Sequence, residues 1–471
     1  MATIDPPAVI GRRPAPLRIH DPATDELVAE VAQADDHAAS RALRELAEAA
    51  PRWRDRPAGD RAAGLRAWSR ALAEHEEELA RLVTRETGRP LREALAGVRA
   101  GVEGAAQYAE LGLGHRGRRL LGDPDADDVM EPRALGVALV LLPWNDPIAL
   151  AASQLAACLV TGNVVLVKPS ERAPLAVAWA VDLLPEALRP AVRLLQGDGR
   201  LGARLVADPA VDVVLHTGAI ETGQAIAATS ARHLRRTILE LGGNDPLVVD
   251  GDVDPGWAAA QAASGAFANA GQLCTAVERI VVHRRVAGPF LEHLVRRAEA
   301  LRPGPPEDRR TTLGPLVDQR HRAMVHGHVQ GALASGAVAR TGGVVPDGPG
   351  CFYPPTVLTE VRPEMAVWAT ETFGPVAPVI VVDDVEEGLA LAAEGRHGLA
   401  ATVLTNSDRT AREAARRLDV GTLKINAVFG GAPAGAAEPR RHSGLGTGFG
   451  PELLDELTSW RVVHRCAAAT R

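Results

Sequence analysis

The chain has 471 residues, of which 46% are apolar and 24% are charged. This composition is ordinary for a soluble globular protein, and the length allows two or three domains with ample cores. The formal net charge of -7 gives no reason to expect nucleic acid or an anionic membrane as a partner. We therefore expect neither kind of partner.

Targeting signals, disulfide bonds and cysteine metal sites are not indicated either. The first 16 residues contain no apolar segment of the kind found in secretory signals, and the longest apolar runs, such as 134–142, are too short to span a bilayer. The four cysteines, Cys158, Cys274, Cys351 and Cys466, show neither CxxC spacing nor a histidine cluster. We expect no disulfide framework, no bound metal, and a cytoplasmic, reducing location.

The first quarter of the chain predicts a helical scaffold. Apolar residues recur at helical spacing through 37–50, 61–85 and 91–111, with arginine and glutamate on the other faces. The acidic stretch 123–128 then predicts a hairpin turn. It lacks the glycine and the distal glutamate of a calcium-binding EF-hand loop.

A strand, a helix and a second strand are predicted at 134–142, 148–160 and 164–167. Such a βαβ unit predicts a parallel sheet, which binds ligands at the carboxyl ends of its strands. The segments 143–147 (PWNDP) and 168–171 (KPSE) both begin at such ends. Further strands are predicted at 191–195, 211–215, 236–241, 247–251, 279–283, 352–358, 376–382 and 421–426, and further helices at 255–270 and 288–301. The alternation indicates an α/β fold.

Residues 197–202 match the pattern GxGxxG. Alone this is a weak indication of a dinucleotide site, because glycine-rich turns are common and the chain contains 46 glycines. The acidic residue expected about 20 positions further on is also missing. The pattern by itself therefore assigns no function.

Cys274 and Glu240 carry the strongest chemical signal. The thiol lies between a Gly-Gln turn and a threonine, and the carboxylate leads into a Gly-Gly pair where a predicted strand ends. A sulfur nucleophile with a separate carboxylate base suits covalent capture of a carbonyl carbon, followed by attack of water. Without that context a single buried cysteine is more often inert packing, and the other three cysteines keep that interpretation.

The glutamate motif (ELGG) and the cysteine motif (GQxCTA), in this order and at this spacing, resemble the aldehyde dehydrogenase superfamily, and further matches run from about Pro143 to Phe449. The motif ELGGNDP is similar to that of the branch that acts on short polar aldehydes such as phosphonoacetaldehyde and lactaldehyde. The resemblance implies an α/β fold with a Rossmann-like cofactor domain interleaved with an α/β catalytic domain and a small β oligomerisation arm, and hence a homodimer or homotetramer. The implied bounds are 1–112 and 132–242 for the NAD-binding domain, 243–454 for the catalytic domain, and 113–131 and 455–471 for the arm.

The resemblance also implies a reaction, the NAD-dependent oxidation of an aldehyde to a carboxylic acid. Cys274 would add to the aldehyde carbon, and the Asn145 amide with the Cys274 N–H would stabilise the oxyanion. After hydride leaves for the nicotinamide ring, Glu240 would activate the water that hydrolyses the thioester. Members that pass the acyl group to coenzyme A usually lack this glutamate, so its presence favours a free acid.

The resemblance assigns the cofactor site residue by residue. Lys168, one of only two lysines among 52 basic residues, and Glu171 would bind the adenosine ribose, and Glu171 would repel the 2′-phosphate of NADP. The diphosphate is expected at the turn 216–223, where a helix N-terminus presents free amides, although Ala219 replaces the usual serine. Trp144 lines the crevice or merely packs. The residues assigned to the cofactor are Trp144, Lys168, Ser170, Glu171, Gly197, Gly218, Gly223, Leu241, Gly242, Glu371 and Phe373.

The substrate is less well defined. Asp146 stands where members for large apolar aldehydes often have an aromatic residue, and aromatic residues make up only 3% of the chain. In the unusual loop 433–444, Arg440, Arg441 and His442 could hold a carboxylate or phosphonate, or could be solvated loop charges. We expect a small polar or anionic aldehyde.

Two other interpretations stay open at this point. The protein could be a coenzyme A-acylating or semialdehyde-specific dehydrogenase, or a non-catalytic scaffold on the same fold. Intact Cys274, Glu240, Asn145, Lys168 and Glu371 argue against the scaffold, which has no need of all five.

Overall fold

The computed structural model describes residues 14–122, 125–430, 435 and 437–467. The first 13 residues lie outside the described part of the chain. The same holds for the start of the predicted hairpin turn and for most of 431–436, where the unusual loop begins. The helices are α1 (Asp36–Arg54), α2 (Ala58–Glu74), α3 (Glu76–Thr87), α4 (Leu91–Gly114), α5 (Pro147–Val160), α6 (Leu175–Asp182), α7 (Gly199–Val206), α8 (Ile220–Ala231), α9 (Pro255–Phe267), α10 (Arg284–Ala300), α11 (Gln319–Ala334), α12 (Ala366–Ala369), α13 (Val385–Ala393), α14 (Asp408–Arg417) and α15 (Glu452–Glu456).

The strands fall into four sheets, two large and two small. They are β1 (Leu17–His20), β2 (Leu27–Val31), β3 (Arg118–Arg119), β4 (Ala126–Ala134), β5 (Val137–Leu141), β6 (Val164–Lys168), β7 (Val192–Leu194), β8 (Val213–Gly218), β9 (Arg236–Leu241), β10 (Asp245–Val249), β11 (Val277–His283), β12 (Val338–Thr341), β13 (Thr356–Thr359), β14 (Val376–Val382), β15 (Ala400–Leu404), β16 (Thr422–Ile425), β17 (Gly444–Leu445) and β18 (Thr458–Cys466). The predicted α/β fold is confirmed.

The first large sheet has the strand order β17-β9-β8-β5-β6-β7. Strands β5 to β9 are parallel, and the short β17 pairs antiparallel with β9. The chain winds outward from β5 in one direction through β6 and β7, and in the other through β8 and β9. The order therefore reverses between β5 and β8, where a doubly wound sheet opens a ligand crevice at its carboxyl edge.

Glycine 136 separates two strands that the sequence predicts as one. Its φ is 137°, and a Cβ atom there would strike the carboxylate of Asp212. Strand β4 ends at Ala134 and β5 begins at Val137, so the predicted strand 134–142 is corrected. The five residues of β5 are all buried, as expected for a parallel strand covered by helices on both faces.

The second large sheet has the order β12-β13-β14-β11-β10-β15-β16 and is parallel except for the β12–β13 pair. Its helices bury separate apolar cores on its two sides. The predicted helix 255–270 ends earlier, at Phe267, because the residues after it leave helical geometry.

Strands β18, β4 and β3 form a three-stranded antiparallel sheet that stands apart from the two large ones. Strands β3 and β18 lie within the two segments predicted as the arm, and β4 runs on to Ala134, past the predicted boundary at 131. The chain returns to the first large sheet just before β18: β17 pairs with β9, and Leu453, Leu454 and Leu457 join the core of that sheet. The predicted boundary at 454 therefore does not follow the packing, since 444–457 lie with the first sheet.

Candidate active site

Cys274 follows a loop in an unusual backbone conformation. Asn269, Ala270 and Gly271 take left-handed φ angles of 49°, 53° and 73°. Residues other than glycine rarely adopt this conformation, so neighbouring groups must hold it in place. A Cβ atom on Gly271 would strike the carbonyl oxygen of Gly374, so only glycine fits where these two backbone segments meet.

Buried side chains anchor this loop. Glu93 accepts a hydrogen bond from the Asn269 N–H at 2.7 Å, and the Gln272 side chain donates to the Asn269 carbonyl at 3.0 Å. Gln272 also accepts from the Val317 N–H at 2.9 Å. Cys274 is half-buried and lines a cavity of about 200 Å³. The anchored loop therefore presents the thiol to this cavity from a fixed backbone.

Glu240 lies near the end of β9 and lines the same cavity. Its Oε1 atom accepts a hydrogen bond from the Gly448 N–H at 2.9 Å, and a Cβ atom on Gly448 would strike the carboxyl group. A Cβ atom on Gly243 would likewise strike the carbonyl oxygen of Cys274. The glycines thus allow the backbone to approach both reactive groups closely.

The cavity changes the pKa of both groups. Burial raises the pKa of Cys274 to about 12, with added repulsion from nearby carboxylates, chiefly Asp245. Burial also raises the pKa of Glu240 to about 8, although the Gly448 hydrogen bond opposes the shift. The thiol therefore carries its proton at neutral pH, and the carboxyl group titrates close to neutrality, as a general base should.

Asn145 lies just beyond the carboxyl end of β5 and lines the cavity. Its Nδ2 atom donates to the Gln272 carbonyl at 3.1 Å. Because an amide nitrogen carries two N–H groups, this side chain can keep that bond and donate a second one into the cavity. Arg89 fixes the segment, donating to the Asn145 carbonyl at 3.2 Å and pairing with Asp146 at 2.8 Å.

A larger cleft of about 670 Å³ adjoins the cavity at the carboxyl ends of β5, β6 and β8. This is the position where the strand order reverses, as expected for a dinucleotide site. Five of the predicted cofactor residues line the cleft: Trp144, Lys168, Ser170, Glu171 and Gly218. Four others line the cavity of Cys274: Leu241, Gly242, Glu371 and Phe373.

Two predicted cofactor residues, Gly197 and Gly223, line neither space. After Gly197, the Asp198 carboxylate caps α7 by accepting from its first N–H groups, which occupies the donors that a phosphate would need. A Cβ atom on Gly223 would strike Leu241, so Gly223 allows close packing of α8 on β9. Neither assignment gains support from the lining of the two spaces, and both stay predictions.

The donors that remain fit a dinucleotide. Helix α8 begins after Ala219 without a side-chain cap, and Ala219 lines both the cleft and the cavity, so free backbone N–H groups face the space where a phosphate can bind. Burial lowers the pKa of the Lys168 ammonium, whose Nζ atom donates to the Pro169 carbonyl and lies 3.8 Å from Glu171. An ammonium beside a carboxylate fits two ribose hydroxyls.

Sequence reasoning missed several residues at this site. His321, from α11, packs against Trp144 and Phe373 with ring centroids 5.7 and 6.0 Å apart, and contacts the Phe373 carbonyl at 2.7 Å. The Glu278 carboxylate accepts from the N–H of Phe373 at 2.8 Å and so positions this loop. Arg172 lines both the cleft and the cavity. Because it follows directly on the KPSE segment, the sequence could have indicated it. His321 and Glu278 had no local signal.

The predicted substrate residues are not brought together. Arg441 donates to two backbone carbonyls and pairs with Asp419 at 3.2 Å, Arg440 pairs with Glu438 at 3.4 Å, and His442 is exposed. With Asp146 bound to Arg89, none of the four lines the cavity of Cys274. The late loop instead reaches the site through Ser443, whose hydroxyl donates to the Gly242 carbonyl at 2.9 Å. The described contacts therefore give no support to an anion clamp at the cavity of Cys274, and that assignment stays a prediction.

The sequence profile described as "Aldehyde dehydrogenase family" matches residues 11–463. The chain belongs to the aldehyde dehydrogenase family. It is 32% identical to lactaldehyde dehydrogenase of Escherichia coli (98% of this chain, 97% of that protein) and 35% identical to 3,6-anhydro-alpha-L-galactose dehydrogenase of Streptomyces coelicolor (95% and 92%). A crystal structure of betaine aldehyde dehydrogenase from Staphylococcus aureus, in complex with NAD+, aligns with a TM-score of 0.92 at 30% identity (95% and 90%).

Membership in the aldehyde dehydrogenase family confirms the predicted enzyme class. The protein is an oxidoreductase that acts on aldehydes, and its cofactor is a nicotinamide dinucleotide, as in other aldehyde dehydrogenases. Among the described residues, no helix combines the length and the apolar character needed to cross a bilayer.

Proposed function

We propose that this aldehyde dehydrogenase oxidises a small polar aldehyde to the free carboxylic acid, with NAD preferred over NADP. The observation that carries the proposal is that Cys274, Glu240 and Asn145 line one cavity beside a cleft suited to a dinucleotide. When bound, the dinucleotide accepts the hydride that leaves the aldehyde carbon. Lys168 and Glu171 would hold its adenosine ribose, and the Glu171 carboxylate disfavours a 2′-phosphate.

The side chains act in two stages, formation of a thioester and its hydrolysis. Cys274 releases its proton to solvent water and its sulfur adds to the carbonyl carbon, while Asn145 and the Cys274 N–H donate to the oxygen that becomes negative. Once the thioester has formed, Glu240 takes a proton from water, and the resulting hydroxide attacks the acyl carbon. The acid leaves, and the thiol is restored.

The ion pairs of Arg440 and Arg441 favour an uncharged polar substrate over an anionic one. Arg440 pairs with Glu438 of its own loop, and Arg441 pairs with Asp419, which follows α14. The relatives include enzymes named for lactaldehyde and 3,6-anhydro-alpha-L-galactose. Hydroxy-aldehydes are therefore the first class to test. Relatives named for succinate semialdehyde keep a carboxylate-bearing substrate as the second candidate.

A panel of short aldehydes with hydroxyl, carboxylate, phosphonate and plain alkyl tails tests this proposal through NADH formation. We expect the highest kcat/KM for hydroxy-aldehydes, and a free acid as product whether or not coenzyme A is present. Dependence of turnover on coenzyme A would show an acylating enzyme. Preference for a carboxylate or phosphonate tail that survives Arg440→Ala and Arg441→Ala would place an anion site elsewhere.

We also propose that the arm pairs with a second copy of the chain. Strand β18 lies at the edge of its sheet and exposes Trp460, Val462 and Val463, and exposed apolar edge strands favour pairing with another chain. The expected mass in solution is that of a dimer or tetramer.

Val462→Lys should shift the protein towards monomer in light scattering, because it places a charge on that edge. The matched control is Val338→Lys, on the edge strand β12 of the second large sheet, where we expect the mass to stay unchanged. A monomeric wild-type protein, or a Val462→Lys variant with the wild-type mass, would refute this assembly.

A further inference from the structure

The cleft and the cavity of Cys274 share a set of residues that we call the junction. Seven described residues line both spaces: Pro143, Trp144, Arg172, Thr217, Gly218, Ala219 and His321. If the adenosine lies beside Lys168 and the nicotinamide beside Cys274, the diphosphate that joins them must pass the junction. This step rests on the proposed function, which assigns the two ends of the dinucleotide.

The junction needs a positive charge, because a diphosphate brings two negative charges into a partly enclosed space. Burial lowers the pKa of His321 to about 4, so its imidazole is neutral at physiological pH. Ala219 offers no side-chain hydroxyl. Among the seven described junction residues, Arg172 therefore carries the charge.

Arg172 is held at the junction from two sides. Its guanidinium pairs with Asp318 Oδ2 at 2.8 Å and lies over the Trp144 ring, 5.7 Å from the ring centroid. A guanidinium has five N–H donors, so it can keep Asp318 and still donate to phosphate oxygens. Asp318 uses its other oxygen to cap α11 through the His321 N–H at 2.7 Å.

We propose that Arg172 is a cofactor-binding residue that pairs with the diphosphate of the dinucleotide, in place of the side-chain hydroxyl that Ala219 lacks. Its contact with Trp144 places the guanidinium at the junction, and the negative charge of Asp318 offsets part of its attraction for phosphate. Arg172 thus joins the segment after β6 to the start of α11 across the binding site.

Calorimetry with adenosine and with ADP-ribose tests this assignment without any turnover. Arg172→Gln should weaken ADP-ribose binding by about 10- to 100-fold, the effect of losing charge-assisted hydrogen bonds, and should change adenosine binding by less than about 2-fold. The affinity of Arg172→Lys for ADP-ribose should fall between those of wild type and Arg172→Gln, since lysine keeps the charge but lacks the planar set of donors. The matched control is Arg412→Gln, an exposed cation on α14 that lines neither the cleft nor the cavity, for which little change is expected.

Asp318→Asn tests whether Arg172 binds the ligand or only stabilises the fold. Asparagine caps a helix as well as aspartate does, so α11 keeps its cap while Arg172 loses its ion pair. If Arg172 binds phosphate, Asp318→Asn should bind ADP-ribose as tightly as wild type or more tightly. An equal loss in Asp318→Asn and Arg172→Gln, or ADP-ribose binding unchanged in Arg172→Gln, would overturn the assignment. Failure of the wild-type protein to bind ADP-ribose at all would instead refute the proposed dinucleotide site.

Discussion

Cys274→Ser is expected to lower NADH formation by about 10⁴-fold, the scale at which loss of a covalent nucleophile acts. A hydroxyl group is a far weaker nucleophile than a thiolate, so serine at this position should add to the aldehyde carbon much more slowly. ADP-ribose should bind the variant as tightly as wild type, because the cleft is unchanged.

The control for this change is Cys466→Ser, which alters an exposed thiol on the arm. Its turnover should match wild type within about 2-fold, in keeping with the small effects of surface substitutions. Steady-state turnover of Cys274→Ser above one tenth of the wild-type rate would rule out the covalent mechanism.

Glu240→Gln is expected to separate the two stages of the reaction. The thioester should still form, giving a rapid burst of about one NADH per active site, while hydrolysis should slow by about 10²- to 10⁴-fold because the general base is gone. Rapid-mixing measurements of NADH formation would resolve the burst from the slow phase.

The pH dependence gives a second test of Glu240. Burial raises the pKa of its carboxyl group from the usual 4.5 to about 8, so below pH 8 most of the group is protonated and cannot accept a proton from water. Wild-type hydrolysis should therefore rise with pH and level off above about pH 8. The slow phase of Glu240→Gln should lack this rise. A variant without a burst, or with the wild-type pH profile, would assign the base to another residue.

The proposed chemistry could be predicted from the sequence because its reactive groups lie in short local motifs. Cys274 and Glu240 were predicted to act on one carbonyl carbon, and both line one cavity. The carboxyl ends of parallel strands meet at one edge of a sheet, so Asn145 and Lys168 could be placed there from their positions after predicted strands. Site geometry of this kind follows from periodicity and topology.

Features that depend on distant contacts could not be predicted. The φ reversal at Gly136 and the early end of α9 depend on how closely the chain approaches Asp212 and Gly374. The ion pairs of Arg440 and Arg441 could not be predicted, because only the folded chain brings Glu438 to Arg440 and Asp419 to Arg441. The packing of 444–457 on the first sheet likewise joins residues about 200 positions apart in the chain.

The most direct test of the account is to trap the acyl group. Glu240→Gln would be mixed with aldehyde and NAD, quenched in acid within the burst, and its peptides mapped by mass spectrometry. We expect the acyl mass on the peptide that contains Cys274, and on no peptide that contains Cys158, Cys351 or Cys466. An unmodified Cys274 peptide after a full burst of NADH would contradict the shared action of this thiol and this carboxyl group on one carbonyl carbon.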